Sequence, residues 1–279
     1  MKNNPEVIDI IKRALAEDIG QGDITSNLLI PEDLQAEIAF VARHEMVACG
    51  TFIPEMVYDI LGASASASAS ASASEGDLVG SGEVLAIARG NARLLLAGER
   101  VALNIMQRMC GVASLTHVYA DMVKHTKAII LDTRKTMVNL RVLDKYSVTV
   151  GGGKNHRMCL DDMVMIKDNH IALCGGVAQA VAKARAGTSL PVILECDNLE
   201  QVEEAITAKP DRILLDNMEN ETLKEAVGMV AGRIPLEASG GVSLATVKAI
   251  AETGVDYISV GKITHSVPAS DIGADIVFS

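Results

Sequence analysis

Positive charge is in short supply in this sequence. Its 25 Lys and Arg residues face 36 Asp and Glu, a formal net charge of −11 at pH 7, with a pI of about 5.0. So acidic a chain has no overall field to attract a polyanionic polymer. That excludes nucleic-acid binding of the usual electrostatic kind and leaves local cationic pockets, suited to small anions, as the informative feature. A cysteine framework is lacking too. Cys49, Cys110, Cys159, Cys174 and Cys196 are odd in number, widely spaced and without a C-x-x-C pair, so neither a disulfide scaffold nor a zinc knuckle is expected, and most should be small core residues. The opening MKNNPEVIDIIKRALAEDIG mixes charges into its apolar positions. It has neither the apolar core of a secretion signal nor a run long enough to cross a bilayer. We therefore expect a cytoplasmic protein with no membrane partner.

What is present suits a globular chain with a large core: 279 residues, 49% of them hydrophobic. Residues 5–17 carry Val7, Ile8, Ile11 and Leu15 on one stripe with Pro5 near the start, an amphipathic helix. Short alternating runs from Ala36 to Gly50 and from Glu75 to Gly90 stop at glycines and suggest antiparallel strands. Between them the repeat GASASASASASASEGD offers little side-chain area and reads as a loop or edge strand. A long helical pattern follows from Asn91, with a break expected near Gly111.

Beyond residue 127 the pattern changes. Apolar runs end at Leu131, Ile166, Leu194, Leu215, Leu236 and Val260, each separated from the next by enough chain for one returning helix. Buried parallel strands alternating with helices imply a β/α barrel or an open doubly wound sheet. Six or seven units fall short of eight, so an irregular, incomplete barrel is expected behind a separate N-terminal α/β layer.

The residues after these strand ends are polar each time, at the edge where α/β proteins build ligand sites. The segment Leu131 to Arg157 holds six Lys or Arg against two Asp. Within and beyond it, Arg134, Lys135, His156, Arg157 and Lys167 could together hold a small polyanion, although a solvated basic face is the plainer alternative. Glu195 and Asp216 each follow an apolar triplet. They could carry Mg²⁺ beside substrate phosphates, or simply pair with the cations. Two glycine segments, Ser239-Gly240-Gly241 and Val260-Gly261-Lys262, close the last two strands. Their backbone N–H groups could cradle phosphate, with a helix starting after SGGVS adding its dipole.

The series EDIGQGDIT, GERVALNIMQRMCGVAS, DTRKT, LDKYSVTVGGGKNHR, MIKDNHI, LLDNM, EASGGV and GVDYISVGKITHS runs in order across nearly the whole chain and resembles the quinolinate phosphoribosyltransferases. The resemblance implies a Mg²⁺-dependent enzyme of NAD biosynthesis. Its substrates would be quinolinate and phosphoribosyl pyrophosphate, its products nicotinate mononucleotide, pyrophosphate and CO₂. It implies an α/β fold with an N-terminal α/β sandwich and dimerisation domain over 1–115, an irregular open β/α barrel of six to seven parallel strands over 116–265, and a tail, 266–279, packing back on the first domain. By the family pattern Thr133, Arg134, Lys135, His156, Arg157 and Lys167 would face quinolinate. Arg100 would enter from a neighbouring subunit of a homodimer or hexamer. Glu195 and Asp216 would bind Mg²⁺ and, with Lys135, serve catalysis; Ser239, Gly240, Gly241, Val260, Gly261, Lys262 and His265 would hold phosphate.

The chain departs from that pattern at several points. Val138-Asn139 stands where Pro-Gly is usual, Cys159 where a small Gly is common, and Ile193 where an acidic residue is frequent. The Ala/Ser repeat has no counterpart. Rival readings are the related group associated with molybdenum transport operons, of the same fold and another substrate, and a non-catalytic sensor of phosphorylated ligands. Intact KNHR, MIKDNHI and LLDNM segments favour quinolinate, and retention of Glu195 with Asp216 favours an enzyme.

Overall fold

The computed structural model describes residues 1–62 and 67–277. In chain order these form α1 (Pro5–Ile19), α2 (Ile24–Leu29), β1 (Gln35–Ala42), β2 (Met46–Val47), α3 (Ile53–Ile60), β3 (Ala67–Ala71), β4 (Leu78–Val79), β5 (Val84–Asn91) and α4 (Ala92–Val123). Then come β6 (Ile129–Leu131), α5 (Arg141–Val150), β7 (Val164–Ile166), α6 (Asp168–Cys174), α7 (Val177–Gly187), β8 (Val192–Cys196), α8 (Leu199–Ala208) and β9 (Arg212–Asp216). The chain ends with α9 (Asn220–Val230), β10 (Leu236–Ser239), α10 (Val247–Ala251), β11 (Tyr257–Ser259), α11 (Lys262–His265) and β12 (Ile272–Val277). Two compact units result: Met1–Leu115 with Met137–Gly151 and Val267–Ser279, and Thr116–Thr136 with Gly152–Ser266.

In the first unit a four-stranded sheet has the order β12-β1-β5-β3, with antiparallel pairing throughout. The alternating Ala/Ser residues supply its edge strand β3, while residues 63–66 of that repeat lie outside the described residues. α1 starts as its sequence requires: Asn4 caps the helix by accepting from the Glu6 N–H, and Pro5 opens the first turn. The core gathers Phe40, Tyr58, Leu85, Leu95, Met106 and Met109, each fully buried apolar side chain contributing roughly 1.5–3 kcal/mol.

Two sequence expectations give way in this unit. α4 runs unbroken through Gly111 for 32 residues. A Cβ at Gly111 would lie 2.3 Å from the Pro268 carbonyl oxygen, so the glycine admits the passing C-terminal segment instead of ending the helix. Residues 137–151, expected in the barrel, also belong here, because Val142 and Leu143 of α5 bury in the first core. The C-terminal segment joins through β12 on β1 and through Ser270 N–H donating to the Gln107 carbonyl at 2.9 Å.

The second unit is a six-stranded parallel sheet in the order β6-β11-β10-β9-β8-β7, interleaved with helices. β6 and β7 end at Leu131 and Ile166, as the apolar runs indicate. β10 does not: it begins at Leu236, where the run was expected to stop, and continues to Ser239. The strand therefore contains Glu237, which is 0% exposed, rather than presenting it beyond the strand end. Among the described residues no helix is long and apolar enough to cross a membrane.

Candidate active site

The anion-binding candidates gather around the end of β6. Asp132, fully buried, follows the strand directly and accepts the His156 backbone N–H at 2.8 Å. Lys154 bridges Leu131 in parallel, so the KNHR segment lies alongside β6. This brings Arg157 beside Arg134: burial, and after it the Arg134 charge, weaken the hold of Arg157 on its proton. Arg157 is also held by Nη1 donating to the Met163 carbonyl at 3.4 Å. Thr133 Oγ1 accepts the Lys135 N–H at 3.0 Å, and the Thr264 hydroxyl donates to the Lys135 carbonyl at 2.8 Å, tying this turn to α11.

The glycine segments close the same end of the sheet. A Cβ at Gly261 would meet the His265 ring at 3.0 Å and Lys135 Cδ at 3.4 Å, so these three residues are immediate neighbours. Val260 is buried and its N–H donates to the Leu131 carbonyl at 2.9 Å, while Lys262 and His265 stand exposed on α11. In Ser239-Gly240-Gly241 both glycines have positive φ, 91° and 60°. The helix expected directly after SGGVS is not there; α10 starts only at Val247 after a turn, so backbone N–H groups and not a helix dipole are what this loop offers.

The carboxylates form a compact group. Glu195, Asp197 and Asp216 each place a carboxylate oxygen within 4.8 Å of the others. Asp197 was not singled out from the sequence, although its position two residues beyond Glu195 at the end of β8 puts it on the same face by strand periodicity. A three-carboxylate oxygen set suits a hard cation such as Mg²⁺. Lys167, at the end of β7, places Nζ 2.5 Å from Glu195 Oε2, so both alternatives left open for Glu195 meet at one residue. Asn217 Nδ2 donates to Asp216 Oδ2 at 2.6 Å. Asn217 itself adopts φ 52° and donates its N–H to the Ser239 carbonyl at 2.9 Å. A Cβ on Gly240 would fall 2.1 Å from Asn217 Oδ1, so the glycine is what allows the phosphate-loop candidate to close onto the acidic group.

Sequence reasoning misplaced three carboxylates expected just past strand ends: Glu195 lies inside β8, Asp216 is the last residue of β9, and Glu237 lies inside β10. One of the Glu237 oxygens accepts from Ser259 Oγ at 2.5 Å; the other accepts from Arg212 Nη1 at 2.8 Å and lies 3.4 Å from His156 Nε2. Burial acts to raise this carboxyl, but His156, Ser259 and Arg212 together hold it below its ordinary value. Arg212 also lies 4.1 Å from the centroid of the Tyr257 ring. In the first unit, Arg100 projects from α4 with its side chain 57% exposed and Glu99 at 3.8 Å. Cys49, Cys110 and Cys196 are buried, and burial pushes the Cys196 thiol up to about 12, leaving it inert near neutrality.

Comparison with known proteins follows the same outline. Residues 23–110 match the model for the quinolinate phosphoribosyl transferase N-terminal domain, and residues 112–275 the one for its C-terminal domain. The chain is 39% identical over 279 residues to a probable carboxylating nicotinate-nucleotide pyrophosphorylase of Bacillus subtilis, covering 99% of this chain and 96% of that protein. It is 41% identical to a chloroplastic carboxylating nicotinate-nucleotide pyrophosphorylase of Arabidopsis thaliana, covering 96% of this chain and 82% of that one. A nicotinate-nucleotide pyrophosphorylase structure from Ehrlichia chaffeensis superposes with a TM-score of 0.93 at 42% identity, over 99% of this chain and 100% of the other.

Proposed function

The chain belongs to the quinolinate phosphoribosyltransferase family, and we propose on that footing that it transfers phosphoribosyl from phosphoribosyl pyrophosphate to quinolinate with loss of CO₂, giving nicotinate mononucleotide for NAD synthesis. The observation that carries the reading is the meeting of a cationic group, Arg134 with Arg157 and Lys167, and an acidic one, Glu195 with Asp197 and Asp216, along one edge of the parallel sheet. A dianionic acceptor fits the first; the ribose and pyrophosphate of the donor fit the second together with the loops at Ser239–Gly241 and Val260–Lys262.

In this reading Arg134, Arg157, Lys135 and Lys167 orient quinolinate through its carboxylates, with Thr133 fixing the Lys135 turn. The ring nitrogen forms a bond to the ribose anomeric carbon as the bond to pyrophosphate breaks, and pyrophosphate departs with the electron pair. Positioning and charge stabilisation supply the rate, without a protein nucleophile. Glu195, Asp197 and Asp216 would hold Mg²⁺, which when bound neutralises charge on the pyrophosphate oxygens. Asn217 keeps Asp216 in place, and the N–H groups of Gly240 and Gly241, with Lys262 and His265, receive phosphate. The ribosylated ring is cationic and takes up the electrons left when the adjacent carboxylate departs as CO₂; a proton then replaces that carboxylate. The arginines must hold the departing carboxylate without stabilising its ground state more than the transition state.

The exposed Arg100, on a unit that also exposes Ile24, Leu28 and Leu29, supports a homodimer or larger assembly in which Arg100 serves the neighbouring site. A cytoplasmic location fits such an enzyme. The test is a product assay with Mg²⁺ and phosphoribosyl pyrophosphate, comparing quinolinate with nicotinate and following mononucleotide and CO₂ together. Quinolinate-dependent release of both products is expected. Absence of both with quinolinate bound would favour a sensor, and absence of quinolinate binding would remove the substrate.

A further inference from the structure

Neutral atoms hold the Arg157 side chain. Its guanidinium donates from Nη1 to the Met163 carbonyl at 3.4 Å and from Nη2 to the Met165 thioether, also at 3.4 Å. Sulfur is larger than oxygen, so the second distance is full contact, although a thioether is a weak acceptor. Both acceptors belong to one short stretch, Met163 directly before β7 and Met165 in the middle of that strand. Among the described residues no carboxylate pairs with the guanidinium directly. Burial and the Arg134 charge disfavour it, and Asp162 and Glu195 act on it through Coulomb attraction alone.

The strand explains this arrangement. Side chains alternate along β7, so Met165 shares a face with Lys167, while Ile166, 4% exposed, turns to the other. Met165 pairs in register with Ile193 on β8, which places Glu195 two residues further along the same face, where it meets the Lys167 ammonium. Two apolar side chains, Met165 and Ile193, thus precede the charged pair, and Arg157 rests its guanidinium on the methionine. A carboxylate at position 165 would grip the arginine harder but would take up its charge and repel an incoming dianion.

We propose that Met165 is a positioning residue for the acceptor pocket: its thioether aims the Arg157 guanidinium without neutralising it, so that the full charge of the arginine meets the dianion. The proposal rests on the assignment of this pocket to quinolinate.

The test titrates quinolinate and phosphoribosyl pyrophosphate separately, by calorimetry, into full-length variants at this one position. Met165→Leu keeps the volume and removes the acceptor, and quinolinate affinity should fall roughly three- to tenfold, the worth of one hydrogen bond. Met165→Gln supplies a neutral oxygen acceptor and should restore quinolinate binding to within about twofold of wild type. Met165→Glu supplies a charged acceptor, and affinity should fall by at least about a hundredfold. In the Leu and Gln variants phosphoribosyl pyrophosphate affinity should stay within about twofold of wild type. A Leu variant that binds quinolinate as wild type does, a Gln variant no better than Leu, or a Glu variant no weaker than Leu would overturn the proposal. So would equal loss of both ligands, which would make Met165 a packing residue of the strand. As a second arm, the Met165 methyl resonance of ¹³C-methyl-methionine protein, assigned by its disappearance in Met165→Leu, should move on Arg157→Lys without any ligand; an unmoved resonance would show that the two side chains do not touch. If wild-type protein bound no quinolinate, the substrate assignment would fail, while that resonance would still decide whether the thioether holds Arg157.

Discussion

Replacing Lys167 with methionine should move two ligands in opposite directions. The ammonium sits 2.5 Å from Glu195 Oε2, while Glu195 shares a cluster with Asp197 and Asp216. Lys167 is 44% exposed, so solvent screens the pair and its net worth is about 1 kcal/mol despite the short distance. A cation entering the acidic cluster must displace or share this ammonium, and Lys167→Met removes that competition. Affinity for a divalent ion should then rise about fivefold, the equivalent of 1 kcal/mol. Quinolinate should lose one charge-assisted contact worth about 1.5–3 kcal/mol, a weakening of roughly ten- to a hundredfold. Mn²⁺, a paramagnetic stand-in for Mg²⁺, can be titrated into the free protein and followed by electron paramagnetic resonance, and quinolinate binding can be followed by calorimetry. Weaker metal binding in the variant, or unchanged quinolinate affinity, would refute the placement of Lys167 between the two groups.

Other outcomes follow from particular contacts. Asp144 is nearly fully buried, accepts two Arg108 bonds of 2.7 Å and one from the Met137 N–H at 3.0 Å; Asp144→Ala should cost about 3–5 kcal/mol in urea unfolding of the first unit. Gly240→Ala sets a methyl against Asn217 at φ 91° and should greatly reduce phosphoribosyl pyrophosphate binding in a direct titration while leaving quinolinate binding within about twofold. The Glu237 carboxyl lies below its ordinary 4.5 in the folded protein, so its contribution to stability is complete above that value and is lost as pH falls through the lowered one; Glu237→Gln should flatten the acid limb of a stability-against-pH curve. Mixing inactive Arg100→Ala and Arg134→Ala subunits should restore part of the activity, and no recovery in a verified mixed dimer would place Arg100 in its own chain's site.

The parallel sheet was legible because buried strands leave apolar triplets followed by polar residues, as at Ile129–Leu131 and Val164–Ile166. β10 was misjudged by that very rule. A carboxylate inside a strand looks like an end, and what holds Glu237 there comes from Arg212, Ser259 and His156, far away along the chain. Asp197 could have been found from the two-residue strand period, whereas the hold of Asn217 on Asp216 depends on a left-handed backbone that its sequence only permits. Asn139 illustrates the same tolerance: it takes φ 63° where the family pattern has glycine, so this departure leaves the turn's backbone accessible. Gly111 misled in the other direction, since a helix-breaking residue and a residue needed for close passage look alike until the segment at Pro268 is in place.

The pairing of β12 with β1 also governs the order of events during synthesis. Of the described strands β1 is translated first, but the partner for one of its edges, residues 272–277, is translated only after all of the second unit. Throughout that interval β1 presents open main-chain donors and acceptors along an apolar strand, the kind of edge that nascent chains use to pair wrongly with one another. The parallel sheet, encoded between the two halves of this antiparallel one, has its whole sequence available first. Premature termination shortly before Ile272 would thus spare every candidate site residue and still yield a chain prone to aggregate.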